Sequence, residues 1–105
     1  MIDITEPIQI PAEGKVAVFV IFDTAPCRKF INYANTAIGR ILEAKEPTGG
    51  SYFKIINTPP VKEALRISLM PTCIVYVDGE EKKRFTGHFW SEFEIANKIS
   101  EGFNK

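Results

Sequence analysis

The feature that most restricts the fold of this chain is a continuous apolar run, Val16-Ala17-Val18-Phe19-Val20-Ile21-Phe22. A strand with one wet face would alternate apolar and polar residues. This run does not alternate, and its β-branched content marks a strand covered on both faces. It has about a third of the ~20 residues a membrane-spanning helix needs. The run stops at Asp23-Thr24-Ala25-Pro26, and a different period takes over: Cys27, Phe30, Ile31, Ala34, Ile38, Ile41 and Leu42 recur at helical spacing and form one apolar stripe. Thr24 stands where an N-cap hydroxyl would meet the free amides of the first turn. Pro26 is tolerated there, because its missing N–H has no intrahelical partner. A buried strand feeding an amphipathic helix is an α/β arrangement.

The rest of the chain adds layers to this unit. Ile2, Ile4, Ile8 and Ile10 alternate around Pro7, which suits a short edge strand. Pro11-Ala12-Glu13-Gly14 reads as a turn, and Gly49-Gly50 ends the first helical segment after Pro47. Tyr52 to Ile56 is a second β-rich run. Pro59-Pro60 opens a short helix from Val61 to about Arg66. Thr72 to Val77 is a strand, Asp78-Gly79 a hairpin turn, and Glu81 to Phe85 the returning strand. Ser91 and Glu94 spell a capping box, and Trp90 and Ile95 are spaced as a hydrophobic staple. Phe93, Ala96, Ile99 and Phe103 give the expected buried face of the last helix. The order β, β, α, β, α, β, β, α requires parallel crossovers early and an antiparallel hairpin late. It implies a central mixed sheet flanked by helices.

At 105 residues the chain fits one domain, residues 1–105. Lys plus Arg and Asp plus Glu each number 13, so the basic excess of a nucleic-acid binder is absent. The run Lys82-Lys83-Arg84 reads as a solvated edge. The one histidine, His88, reads as a solvated side chain, and it leaves few parts for a metal cluster or a hydrolytic triad. No metal and no cofactor are expected, and a monomer is. The N-terminus carries Asp3 and Glu6 and no basic leader. With two cysteines and no export signal, the expected setting is cytoplasmic, with no membrane contact.

Several landmarks, in order and spanning nearly the whole chain, resemble the thioredoxin family. The apolar strand runs into Thr24-Ala25-Pro26-Cys27, where that family carries Cys-Gly-Pro-Cys at the start of a helix. Arg28 stands at the family's usual lysine. Met70-Pro71-Thr72 before a strand is similar to the family's Ile-Pro-Thr, whose proline is cis and faces the active site. Asp78-Gly79-Glu80 matches the hairpin, and Gly87 the glycine before the last helix. The resemblance implies a thioredoxin fold with an abbreviated N-terminal region.

The departures bear on function. Thr24 occupies the position of the nucleophilic cysteine, and threonine cannot attack a disulfide, so the dithiol exchange cycle is lost. Asp23 replaces the family's tryptophan. Val18 falls at the buried aspartate, and Lys54 at that aspartate's lysine partner. Thr-x-x-Cys is also the motif of peroxiredoxins, but Val20 stands where they carry a proline.

Two functions remain. In the first, Cys27 performs single-cysteine thiol chemistry. Thr24 donates to the sulfur, while the helix N-terminus, Arg28 and Lys29 favour the thiolate. In the second, the chain is a non-catalytic protein-binding module. Its surface is Thr24, Pro26, Met70, Pro71, Thr72 and Gly87, and its partner is a protein or a thiol or disulfide substrate. Against the first, Cys27 also reads as a small buried hydrophobe. Cys73, two residues after Pro71 on the same strand face, reads as core rather than as a disulfide partner of Cys27.

Overall fold

The computed structural model describes residues 1–44, 49–87 and 90–105. The expectations placed on Pro47 and His88 lie outside the described residues. The elements are β1 (Ile2–Ile4), a 3-10 turn (Pro7–Gln9), β2 (Lys15–Ile21), α1 (Ala25–Ala37), a π-helical turn (Ile38–Leu42), β3 (Ser51–Ile56), α2 (Pro59–Leu65), β4 (Thr72–Val77), β5 (Glu80–Thr86) and α3 (Glu92–Phe103). The sheet order is β1-β3-β2-β4-β5. β3 is parallel to both β1 and β2, whereas β4 is antiparallel to β2 and β5.

β2 lies at the centre, as its unbroken apolar run requires. Its even residues Val16, Val18 and Val20 join Phe53, Ile55, Ile74, Val61 and Ile67 on the face covered by α2 and the 3-10 turn. Its odd residues Ala17, Phe19 and Ile21 join the other face, beneath α1 and α3. There the Phe19 and Phe30 rings lie 5.9 Å apart between centroids, tilted by 56°. The α1 stripe is buried as its spacing implies, through Cys27, Phe30, Ile31, Ala34 and Ala37.

Four expectations are revised. The edge strand ends at Ile4, because Pro7 starts a 3-10 turn and the Gln9 side chain accepts from the Thr5 and Glu6 amides just before it. Phe22 falls outside β2 and is exposed. Phe93 is 65% exposed, because α3 turns Ile95, Ala96, Ile99, Gly102 and Phe103 inward instead. Finally, Lys82, Lys83 and Arg84 lie on the edge strand β5 as expected, but all three are half-buried rather than fully solvated. The Arg84 guanidinium donates to the Leu65 and Arg66 carbonyls at 2.9 and 3.0 Å while Glu81 holds its other side at 2.8 Å. It thereby satisfies the open C-terminal end of α2, where Arg66 takes the left-handed conformation at φ 53°. The fork of N–H groups makes this possible where a lysine would offer one point.

Turns tie the ends of the strands together. Asp78 and Gly79 both have positive φ, as a tight two-residue hairpin requires. Asp78 Oδ1 accepts from Gly14 N at 2.9 Å, and Asp78 N donates to Gly14 O at 2.9 Å. The Ser91–Glu94 capping box forms in both directions. Trp90 packs edge-on against Phe85 at 5.9 Å and donates its indole N–H to Thr86 O at 2.9 Å.

Candidate functional site

The segment Phe22 to Cys27 leaves the sheet at the end of β2 and enters α1. Thr24 is extended at φ −125° and ψ 159°, and its carbonyl accepts the first helical bond from Arg28 N at 2.9 Å. The backbone is therefore that of an N-cap, but the Thr24 hydroxyl makes no capping bond. The side chain expected to serve the helix instead lies exposed, as do Asp23, Ala25 and Pro26.

Cys27 faces the other way. It is the third residue of α1 and is 4% exposed, packed within the cluster that contains Phe30, Phe19 and Cys73. The two cations expected to favour a thiolate are committed elsewhere. Arg28 pairs with Asp23 at 2.9 Å on the surface, and Lys29 lies 5.9 Å over the Tyr33 ring. An exposed pair of this kind contributes little to stability. Both cysteines are free thiols. Cys73 is fully buried opposite Phe19, and burial pushes its thiol well above the ordinary range.

The loop before β4 supplies the other half of the site. The Met70–Pro71 peptide is cis. Pro71 O accepts from Gly87 N at 2.9 Å, which brings the β5 end beside the loop. Gly87 has φ +94°, a conformation that side chains rarely adopt. Thr72 is buried, and its hydroxyl donates to Leu69 O. Its side chain therefore braces the loop and is not free to meet a partner. Met70 is half-buried against the α2-side core.

The positions of Val18 and Lys54 carry no proton-transfer pair. Val18 sits on the sheet face opposite Cys27. Lys54 pairs with Asp3 at 3.1 Å across the β1–β3 edge.

Two hollows border the Phe22–Pro26 segment. One, of about 870 Å³, lies between α1 and α3 and is lined by Pro26, Lys29, Tyr33, Trp90 and Phe93. The other, of about 520 Å³, joins Phe22 to Asn57, Lys62, Leu69 and Met70. As lining of these hollows, Asn57, Lys62 and Leu69 had no signal in the sequence, and Phe22 and Phe93 were read as parts of a buried strand and a buried helix face. Their shared position becomes visible only once the helices are placed.

No family model matches the sequence, and no curated protein matches it. Solved structures do. Plasmodium falciparum thioredoxin superposes with a TM-score of 0.74 at 18% identity, over 96% of this chain and 98% of that one. A chloroplastic thioredoxin z, described as having type-specific target recognition, gives 0.73 at 16% identity over 100% and 96%. Fasciola hepatica thioredoxin gives 0.67 at 20% identity over 87% and 84%. At these identities the likeness establishes the fold, and the fold is that of thioredoxin.

Proposed function

We propose that this chain is a thioredoxin-fold protein-binding module, which docks a partner through Thr24, Pro26, Met70, Pro71 and Gly87 without disulfide turnover. The observation that carries the reading is the inversion at the start of α1: the exposed motif position holds a hydroxyl, and the only sulfur of the motif is 4% exposed. Disulfide exchange needs an attacking thiolate with access to the substrate sulfur. An exposed threonine supplies access without a thiolate, and Cys27 supplies a thiol without access.

Partner recognition needs neither. A backbone segment can align beside an exposed loop by main-chain hydrogen bonds, with neighbouring hollows selecting side chains. Supporting this reading, the Met70–Pro71 loop is tied to Gly87 by a backbone bond, with Pro71 buried, Met70 half-buried and Leu69 exposed beside them. The target recognition described for the thioredoxin z structure supports such a role for the fold. It does not by itself carry function.

The test compares Cys27 alkylation, read site by site with Cys73 as internal reference, with NMR shifts on adding extended apolar peptides. Docking expects both cysteines to stay unmodified until the protein unfolds, with peptide-induced shifts at Thr24, Met70 and Gly87. Rapid alkylation of native Cys27 at neutral pH would instead establish the single-cysteine reading, with Cys27 reacting and Thr24 supporting it.

A further inference from the structure

The smaller hollow carries three features that a merely structural surface does not need together. First, its rim is apolar and open: Phe22 is 46% and Leu69 61% exposed, with Ile67 buried beneath them. Single exposed apolar residues are ordinary, but several around one concavity mark a binding groove. Second, the Asn57 side-chain carbonyl Oδ1 is buried and has no hydrogen-bond partner among the described residues. Its backbone N–H donates to Ile21 O at 2.8 Å, which anchors the backbone beside the end of β2 while the side-chain acceptor stays unpaired. A buried acceptor left unpaired is costly, and a donor brought by an occupant removes the cost. Third, Lys62 is the one charged residue lining the hollow, and it makes no ion pair among the described residues. The net charge of the whole chain is zero, and the one charge on this lining is a cation.

From these features we infer that the hollow selects an acidic–apolar peptide segment of a partner protein. An apolar side chain sits between Phe22 and Leu69, a neighbouring carboxylate meets Lys62, and the Asn57 amide turns outward to bring its unpaired Oδ1 to a peptide N–H. The inference rests on the docking function proposed above and names the chemistry of its partner. Charge complementarity sets the choice: a basic segment would meet Lys62 with like charge, and a neutral one would leave it unpaired.

The experiment measures fluorescence polarisation of three labelled peptides, identical except for one pair of residues: Leu-Glu, Leu-Gln or Leu-Lys. Each is titrated with the full chain, with Lys62→Glu and with Asn57→Leu, at low and high salt. Lys62 is exposed, so its substitution spares the core. The expected result is Leu-Glu binding roughly fivefold tighter than Leu-Lys at low salt, a preference that shrinks at high salt. Lys62→Glu reverses the order. Asn57→Leu weakens all three peptides together. Equal binding of all three would overturn the inference and leave the docking function standing. Binding of none would overturn both. A concentration-dependent dimer in sedimentation that Leu69→Ser dissolves would show the hollow to be a self-contact, and would also overturn the inference.

Discussion

Replacing Cys27 by alanine and by serine separates a packed sulfur from a working one. Cys27 is 4% exposed and sits on the α1 stripe beneath β2 and β4. Losing its sulfur forfeits about 0.8 kcal/mol of transfer energy, the value for one buried methylene. A residual void of ~25 Å³ adds about 0.6 kcal/mol at ~24 cal/mol per Å³. The better helix propensity of alanine offsets about 0.5 kcal/mol, so Cys27→Ala should cost about 1 kcal/mol. Cys27→Ser keeps the volume but buries a hydroxyl, at about 1–3 kcal/mol. Urea unfolding followed by circular dichroism should show both midpoints lowered with the slope unchanged. Peptide affinity of the folded variants should stay within about twofold. The reasoning fails if Cys27→Ala leaves the midpoint where it was, since the sulfur would then not be packed. It fails equally if Cys27→Ala folds normally and abolishes binding.

Other substitutions read the remaining contacts. In Gly102→Ala the new Cβ would meet Val75 Cγ1 at 2.7 Å. The clash should outweigh alanine's ~1 kcal/mol helix advantage and leave a net loss of about 1–2 kcal/mol in urea. Arg84→Met should lose about 1–3 kcal/mol by unpairing the Leu65 and Arg66 carbonyls, and Arg84→Lys should recover less than half of it; thermal unfolding measures both. Ser91→Ala removes the acceptor of Glu94 N and should cost about 1 kcal/mol without changing peptide affinity. For pH, burial raises the Cys73 thiol, so the folded state holds that proton longer than the unfolded chain does. The stabilisation is complete below the unfolded thiol pKa of about 8.5 and falls as pH rises beyond it, by up to ~1.4 kcal/mol per pH unit. Tyr76, also raised by burial, adds the same sign at higher pH. Urea midpoints measured from neutral pH to pH ~10 should fall less steeply in Cys73→Ala than in the parent.

What could be read from the residues followed from periods. The run Val16 to Phe22 announced a strand buried on both faces, and the structure divides its even and odd residues between two cores. Asp78-Gly79 and Ser91-x-x-Glu94 are local chemistry, and both formed as written. The misses have a common cause. Phe93 fits the period of a buried face, but which stripe of α3 turns inward depends on how the helix docks on β4 and β5. Arg84 looked like an edge charge, and nothing in its neighbourhood in sequence reveals that α2 ends in space beside it. The candidate site was legible as a backbone: motif, Met70-Pro71 loop and Gly87. Its selective features were not, because Asn57, Lys62 and Leu69 come from separate elements and share a hollow only after folding.

The comparison of Thr24 with Cys27 also bears on how docking can persist without chemistry. A thiolate at a helix start needs access and a favourable field together. Here Arg28 pairs with Asp23 and Lys29 lies over the Tyr33 ring, both on the surface, while Cys27 is 4% exposed. The groups that would hold a peptide are independent of this balance. The bond from Gly87 N to Pro71 O and the bracing of Leu69 O by Thr72 involve no atom of Cys27. A threonine rather than a thiol at position 24 is therefore compatible with an intact loop presenting Met70. Substitutions at Met70 and at Cys27 should accordingly be separable, the first acting on affinity and the second on stability.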